Sequence, residues 1–462
     1  MRPSPARLVL TCLTLTLGLD LAPACAQDDA DLRERKQVAL TKGVRWLFEQ
    51  QQPDGTWTYD NRPLQLQAYP MTQGVTALCA FALLKCGVEP EDPRIEKAFA
   101  YLRAQPLQWT YSVSCVLLAV EARLNHEPPP DGPQASGTTE RKPRKRKPSP
   151  ADLELARRCV EFLGAHQQKG LWRYPSGSQE DVSNAQYALL ALDAAERLQV
   201  PVPKEIYEKV ALRLLEAQEQ DGPAVQPFPV PAADRTFKEL RAIEADLEKE
   251  IRKLERKFKR DPNQPDDSGQ TLSDHRATVE RGAARRITES AEKLQMKARG
   301  WAYFPPPVPE NAQVWQKTTN GSMTASGVAA LLICKSRLEG TPRWERELKP
   351  QVNQAIRDGA AWLAQNFALD KNPGNPLHHY YYLYGLERAG ILGLIGRFGT
   401  HDWYQGGCEL FLGAQKQDGS WNATPSSTSG PVPDTCFGLL FLARGTTPVI
   451  NVPGRVMTGA GR

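Results

Sequence analysis

The sequence predicts an all-α chain built as two concentric rings of helices, an α6/α6 toroid, with an antiparallel helical hairpin inserted into it. Three observations carry this. A turn phrase, Gln-x-x-Asp-Gly-x-Trp, stands at Gln51–Trp57 and again at Gln415–Trp421, with worn copies between. Each copy separates an amphipathic helical pattern from an almost wholly apolar one, and self-similarity at that spacing marks a repeat architecture. Six such pairs can be counted, enough to close a ring with amphipathic helices outside and apolar helices inside, leaving no apolar end to cap.

Taken in order, residues 1–26 read as an export signal: Arg2 and Arg7, an apolar run from Leu8 to Leu21, then Ala24-Cys25-Ala26. That pattern predicts cleavage near Ala26 and an exported protein, periplasmic or extracellular. Residues 28–31 are acidic, and a helix is expected from Leu32, with Leu40, Val44, Leu47 and Phe48 on one face. Pro53 and Gly55 end it, and Met71 to Lys85 follows as the first apolar helix. Pair two is Asp92–Gln105, a Trp109-Thr110-Tyr111 turn and Ser112–Leu124. Pair three is Ala151–Gln167, a turn with His166 and Lys169 at the Gln and Asp places, and Asn184–Leu198. Pair four is Pro203–Gln218 and Met323–Leu338; pair five is Trp344–Phe367 and His378–Leu392; pair six is His401–Gln415 and Asp434–Arg444. The toroid is thus expected over 32–126, 151–222 and 300–446, with a tail at 447–462.

Two stretches break the pattern. Residues 127–150, rich in Pro, Gly, Ser, Lys and Arg, read as a disordered basic loop. Residues 223–299 hold a linker and two highly charged helices. Phe237, Leu240, Ile243, Leu247, Ile251, Leu254 and Phe258 form a narrow stripe on the first, the mark of a coiled-coil hairpin. Before it stands Gln218-x-x-Asp221-Gly222 and after it Gly300-Trp301, so the hairpin is inserted into the fourth turn. It is read as a surface for a protein partner. A net charge of +5 on 462 residues, with acids and bases interspersed, excludes a dedicated nucleic-acid binder. No later run is long and apolar enough to span a membrane.

The turn phrase makes sense without catalysis. Gly ends a helix, Asp caps the next segment, Gln bonds backbone at the preceding helix end and Trp covers the joint. In this form it resembles the prenyltransferase and squalene oxidase repeats of the superfamily that holds squalene cyclases and protein prenyltransferase β subunits. The phrases His378–Arg388 and Asp402-Trp403-Tyr404 resemble exported bacterial members. The resemblance implies an α/α toroid and, in its catalytic members, cyclisation or prenyl transfer. The motifs of those reactions are missing: there is no D-x-D-D or D-C-T-A-E acid, and Asp434-x-Cys436 has no later His to complete a zinc site. Gly407-Cys408-Glu409-Leu410 lacks the residues of a thioester. No cofactor or metal is therefore expected, and whether the chain is an enzyme stays open.

The richest polar cluster is His378, His379, Tyr380, Tyr384, Glu387 and Arg388, spaced on neighbouring helical turns, with Asp434 as a further catalytic candidate. If inner helices point one end into a central cavity, Asp181, Asn184, Gln186, Asn320, Thr324, Tyr382 and Cys436 meet there as ligand-binding candidates. Such a convergence suits a small molecule or polymer bound in the cavity. The same residues can equally satisfy one another between layers. The leading expectation is a toroid that binds a ligand or partner; a diverged terpenoid cyclase or prenyl-transferring enzyme and a carbohydrate-active, lyase-like toroid are the alternatives.

Overall fold

The computed structural model describes residues 22–58, 71–126, 149–174, 179–259, 261–289, 295–423 and 430–450. Most of 1–26, expected to be an export signal, and nearly all of 127–150, expected to be a basic loop, lie outside these. The helices in chain order are α1 (Ala22–Glu49), α2 (Thr72–Lys85), α3 (Pro93–Ala104), α4 (Thr110–Leu124), α5 (Pro150–Ala165), α6 (Val182–Arg197), α7 (Lys204–Ala217), α8 (Pro231–Asp234), α9 (Phe237–Lys257), α10 (Leu272–Thr288), α11 (Val314–Lys317), α12 (Gly321–Leu338), α13 (Lys349–Gln365), α14 (His379–Gly393), α15 (Trp403–Ala414) and α16 (Pro431–Leu442).

Six of them form the inner layer. α2 packs on α4, α4 on α6, α6 on α12, α12 on α14, α14 on α16, and α16 back on α2. The circle is closed. Their composition explains their place: α2 buries every residue from Gln73 to Leu84, and α12 every residue from Gly321 to Lys335. A helix apolar all round is stable only with neighbours on all sides. The outer helices α1, α3, α5, α7, α13 and α15 each pack on the inner layer. Most bury one stripe; α3, for instance, buries Ile95, Ala98, Phe99 and Leu102, the i, i+3, i+4, i+7 pattern.

The turn phrase is the joint between repeats. In four joints the Trp indole donates to a carbonyl one turn before the Gln: Trp57 to Leu47 O, Trp172 to Leu163 O, Trp301 to Leu214 O and Trp421 to Phe411 O, at 2.6–2.8 Å. All four indoles are fully buried. The Gln amide bonds its own turn and the outer helix of the next repeat. Gln51 reaches Gly55 O and Arg94 O, Gln167 reaches Gly170 O and Ile206 O, Gln218 reaches Arg299 O and Ala355 O, and Gln415 reaches Gly419 O and Ala39 O. The Gln therefore ties neighbouring repeats and does not cap the preceding helix. Asp54 and Asp418 close Asx turns on Thr56 and Ser420 and cap no helix.

Several expectations are corrected. In the third joint Gln167, not His166, takes the Gln role, because that turn is one residue shorter and Lys169 adopts φ 47° before Gly170. Trp109-Thr110-Tyr111 is no turn copy, since Thr110 already starts α4. Helix α1 begins at Ala22, ahead of Leu32. The Trp backbone N–H bonds Thr76 at 3.1 Å in the first joint and Thr324 at 3.2 Å in the fourth, so these two threonines are counterparts.

In the fourth joint Ala224–Val225 pairs antiparallel with Met296–Lys297, bringing the chain back to the ring. Between these strands α9 and α10 pack on each other, each opened by a Thr capping box. Their base is fixed to the ring. Arg357 donates to Asp234 at 2.8 Å and to Ala233 O, Lys335 donates to Arg235 O at 2.8 Å, and Phe237 is buried beneath.

Candidate functional site

The inner helices run in parallel, since residues near their N-termini meet at one end and residues near their C-termini at the other. At the N-terminal end three hydroxyls form a triangle: Tyr111 from α4, Ser183 from α6 and Tyr381 from α14. The sides are 2.5 Å (Tyr111–Ser183), 2.8 Å (Ser183–Tyr381) and 3.0 Å (Tyr111–Tyr381). Below it Gln186 Oε1 accepts from Tyr381 at 3.3 Å and from Arg388 Nη1 at 2.8 Å. Arg388 Nη2 donates to Tyr187 at 3.0 Å, and the guanidinium lies 3.8 Å from the centre of the Tyr384 ring. Arg388 is fully buried, and its hydrogen bonds go to Gln186 and Tyr187 with no carboxylate in hydrogen-bond contact among the described residues. Its Nε and the Gln186 Nε2 have no partner.

Around the triangle runs a chain of rings. Tyr174 stacks on Tyr111, Tyr187 touches Tyr111 and Tyr381, Tyr381 meets His378 and Phe437, His378 meets Trp315, and Trp315 meets Tyr303, all with centroids 4.4–6.3 Å apart. Tyr111, Tyr174, Tyr303, Trp315, His378 and Tyr381 are only half-buried, so this end offers aromatic surface. Asp181 sits behind the rim as the N-cap of α6, bonding Asn184 N at 2.7 Å and Asn184 Nδ2 at 2.8 Å. Burial pushes its carboxyl up to about 7, against the pull of those bonds and of Tyr303. Desolvation holds His378 down to about 4, so its ring is neutral at pH 7.

The opposite end is closed by charge. Glu121 lies 3.0 Å from Arg197, Asp193 takes Arg337 at 2.7 Å, and Lys85 donates to Thr447 at 2.9 Å. Glu387 accepts from Thr446 N at 3.2 Å and from Thr446 Oγ1 at 2.5 Å. Burial lifts the Glu387 carboxyl to about 7. At this end a cavity lined by Phe81, Leu118, Leu190, Tyr384 and Leu392 with Glu121, Asp193, Arg197 and Thr446 has a volume of about 20 Å³, room for about one water.

The cluster read from the sequence is thus divided. Tyr384 and Arg388 face the axis, and Glu387 serves the far end. Tyr380 packs on Phe411, Tyr382 donates outward to Ala368 O at 3.0 Å, and His379 Nε2 bonds Leu369 O at 2.7 Å. Asn320 caps α12 through Met323 N, and Thr324 belongs to the fourth joint. Asp434 accepts from Ala423 N at 2.8 Å within the first turn of α16, so it is not an N-cap. Cys436 is a buried thiol beside Cys79. Of the named candidates, Gln186, Tyr384 and Arg388 converge on the axis, with Asp181, Asn184 and His378 at its mouth. Tyr111, Ser183, Tyr187, Tyr303 and Trp315 were missed as site residues. Tyr111 stands in the Trp109-Thr110-Tyr111 phrase, which the sequence assigns only to a turn.

No family model matches the chain, and no curated protein does. Among solved structures the chain is similar to a type II terpene cyclase from Scytonema in complex with its product, merosterolic acid A. The two are 13% identical over 90% of this chain and 99% of that one, with a TM-score of 0.30.

Proposed function

We propose that this protein is an exported binding toroid that takes a hydroxyl-rich ligand with a flat face, as a saccharide presents, at the N-terminal mouth of its inner ring. The observation that carries this is the chain of half-buried rings around the Tyr111–Ser183–Tyr381 triangle, above a buried guanidinium with no carboxylate partner. Rings supply stacking area, and clustered hydroxyls supply oriented donors and acceptors. The cavity of about 20 Å³ at the charged end is too small for such a ligand, so this reading rests on the half-buried rings of the mouth. Residues 1–26 act as the export signal in this reading, and the α9–α10 hairpin carries any protein partner.

Calorimetric titration with neutral and uronate oligosaccharides tests the mouth. Trp315→Ala and Tyr381→Phe are expected to weaken binding at least tenfold while leaving Tm within a few degrees, because both side chains lie at the surface of the ring end. Affinity unchanged in both variants, or no binding to any oligosaccharide, defeats the proposal. The N-terminal sequence of protein secreted from a bacterial host is expected to begin at Gln27; an intact Met1 in the exported fraction contradicts cleavage near Ala26, and retention of the whole protein in the cytoplasm contradicts export.

A further inference from the structure

The inner ring has a seam. α2 is its first helix and α16 its last, and the two pack side by side although their facing cysteines are 357 residues apart in the chain. At that seam the Sγ atoms of Cys79 and Cys436 lie 3.6 Å apart. Both thiols are fully buried, and neither belongs to the mouth or to the charged end. A disulfide needs about 2.05 Å between sulfurs, so a further approach of about 1.5 Å joins the two helices.

We propose that Cys79 and Cys436 are oxidised to a disulfide when the chain folds in the presence of a disulfide oxidant, so that the ring is closed covalently across its seam. One thiolate attacks a sulfur of the oxidant, releasing one reduced thiol and leaving a mixed disulfide on the chain. The second thiolate then displaces the other reduced thiol and forms the Cys79–Cys436 bond. Two cysteine thiols are oxidised by two electrons, and one oxidant disulfide is reduced to two thiols. The timing follows from burial. No oxidant reaches either sulfur in the closed ring, and burial pushes the Cys79 thiol well up, away from its reactive thiolate. α16 is the last helix of the ring in the chain, so Cys436 is open to the oxidant until α16 docks against α2.

The test is to refold the full chain from denaturant in mixed reduced and oxidised glutathione, then digest it without reduction and analyse the peptides by mass spectrometry. The expected product is one linked pair containing Cys79 and Cys436, lost on reduction, with Tm about 5 °C above the reduced form. Reduced protein, already folded and given the same oxidant, is expected to stay unlinked for hours. Cys115 reaches the same region from α4, so Cys115→Ser is expected to keep the link and Cys436→Ser to lose it. The proposal is overturned if both cysteines of refolded wild-type protein alkylate fully without reduction. It is equally overturned if the linked pair contains Cys115. The wild-type digest decides even if a variant fails to fold.

Discussion

Glu387 and Arg388 are neighbours in the chain, about 100° apart around a helix, and the fold gives them opposite work. Arg388 stacks on Tyr384 in the axis, and Glu387 holds Thr446 at the charged end. Because burial raises the Glu387 carboxyl from 4.5 to about 7, the folded state keeps a proton that the unfolded chain has released. Stability from this group is therefore full below pH 4.5 and falls as pH rises to about 7. Glu387→Gln keeps an acceptor for the Thr446 N–H and removes the charge. It is expected to be more stable than the parent at pH 8 by about 2–3 kcal/mol and nearly equal at pH 4.5, measured by urea unfolding. A variant less stable than the parent at pH 8 shows that the charge itself is needed. Asp181 has the same sign. Spacing placed Tyr384 and Arg388 together, because i and i+4 share a helix face whatever surrounds them. It did not reveal Tyr381 as the hub, since its partners Tyr111 and Ser183 come from helices 270 and 198 residues away.

At the scale of the element, the joint is the part of the molecule most legible in the chain. Gln, Gly and Trp each make a contact that recurs at every well-formed joint, so the phrase survives wherever the joint does. Gly55, Gly170 and Gly419 have φ of 90–97°, and a Cβ on any of them would come within 2.9 Å of backbone in the next outer helix, at Lys97, Lys209 and Lys42. The third copy was misread because its turn lost one residue, which shifts the letters and not the bonds. Gln415→Ala removes the amide donor from Gly419 O and Ala39 O. It is expected to cost about 1–3 kcal/mol in urea unfolding. Gly419→Ala is expected to cost more, because the added carbon meets Lys42 O at 2.5 Å and the left-handed backbone adds strain. A Gly419→Ala loss below that of Gln415→Ala would show that the turn yields.

At the scale of the whole molecule, the closed inner circle follows from six helices without a polar face, a pattern visible in the letters. The attachment of the hairpin was not visible. Its charged helices read as an insertion into the fourth turn and a surface for a partner, yet its base also covers Lys335 and Arg357 in the ring. Burial holds Lys335 down to about 8, so at pH 7 it is still mostly a cation and relies on the acceptors around it. Removing only residues 250–276 is expected to leave ring stability within about 1 kcal/mol, since surface changes of this kind cost little. Replacing 226–295 by a two-residue turn takes away both acceptors of Arg357 and leaves Lys335 only Asn353 Oδ1, and is expected to lower Tm by several degrees in differential scanning calorimetry. Equal Tm for the two deletions contradicts the role given to the base.

The joint between the last and first repeats is built like the others. Gln415 reaches Ala39 O as Gln51 reaches Arg94 O, and Gly419 meets Lys42 as Gly55 meets Lys97. In structural terms the ring has no first repeat. The position of the termini is then a choice of cut, and a circular permutant opened between repeats two and three should close the same ring from a different starting residue.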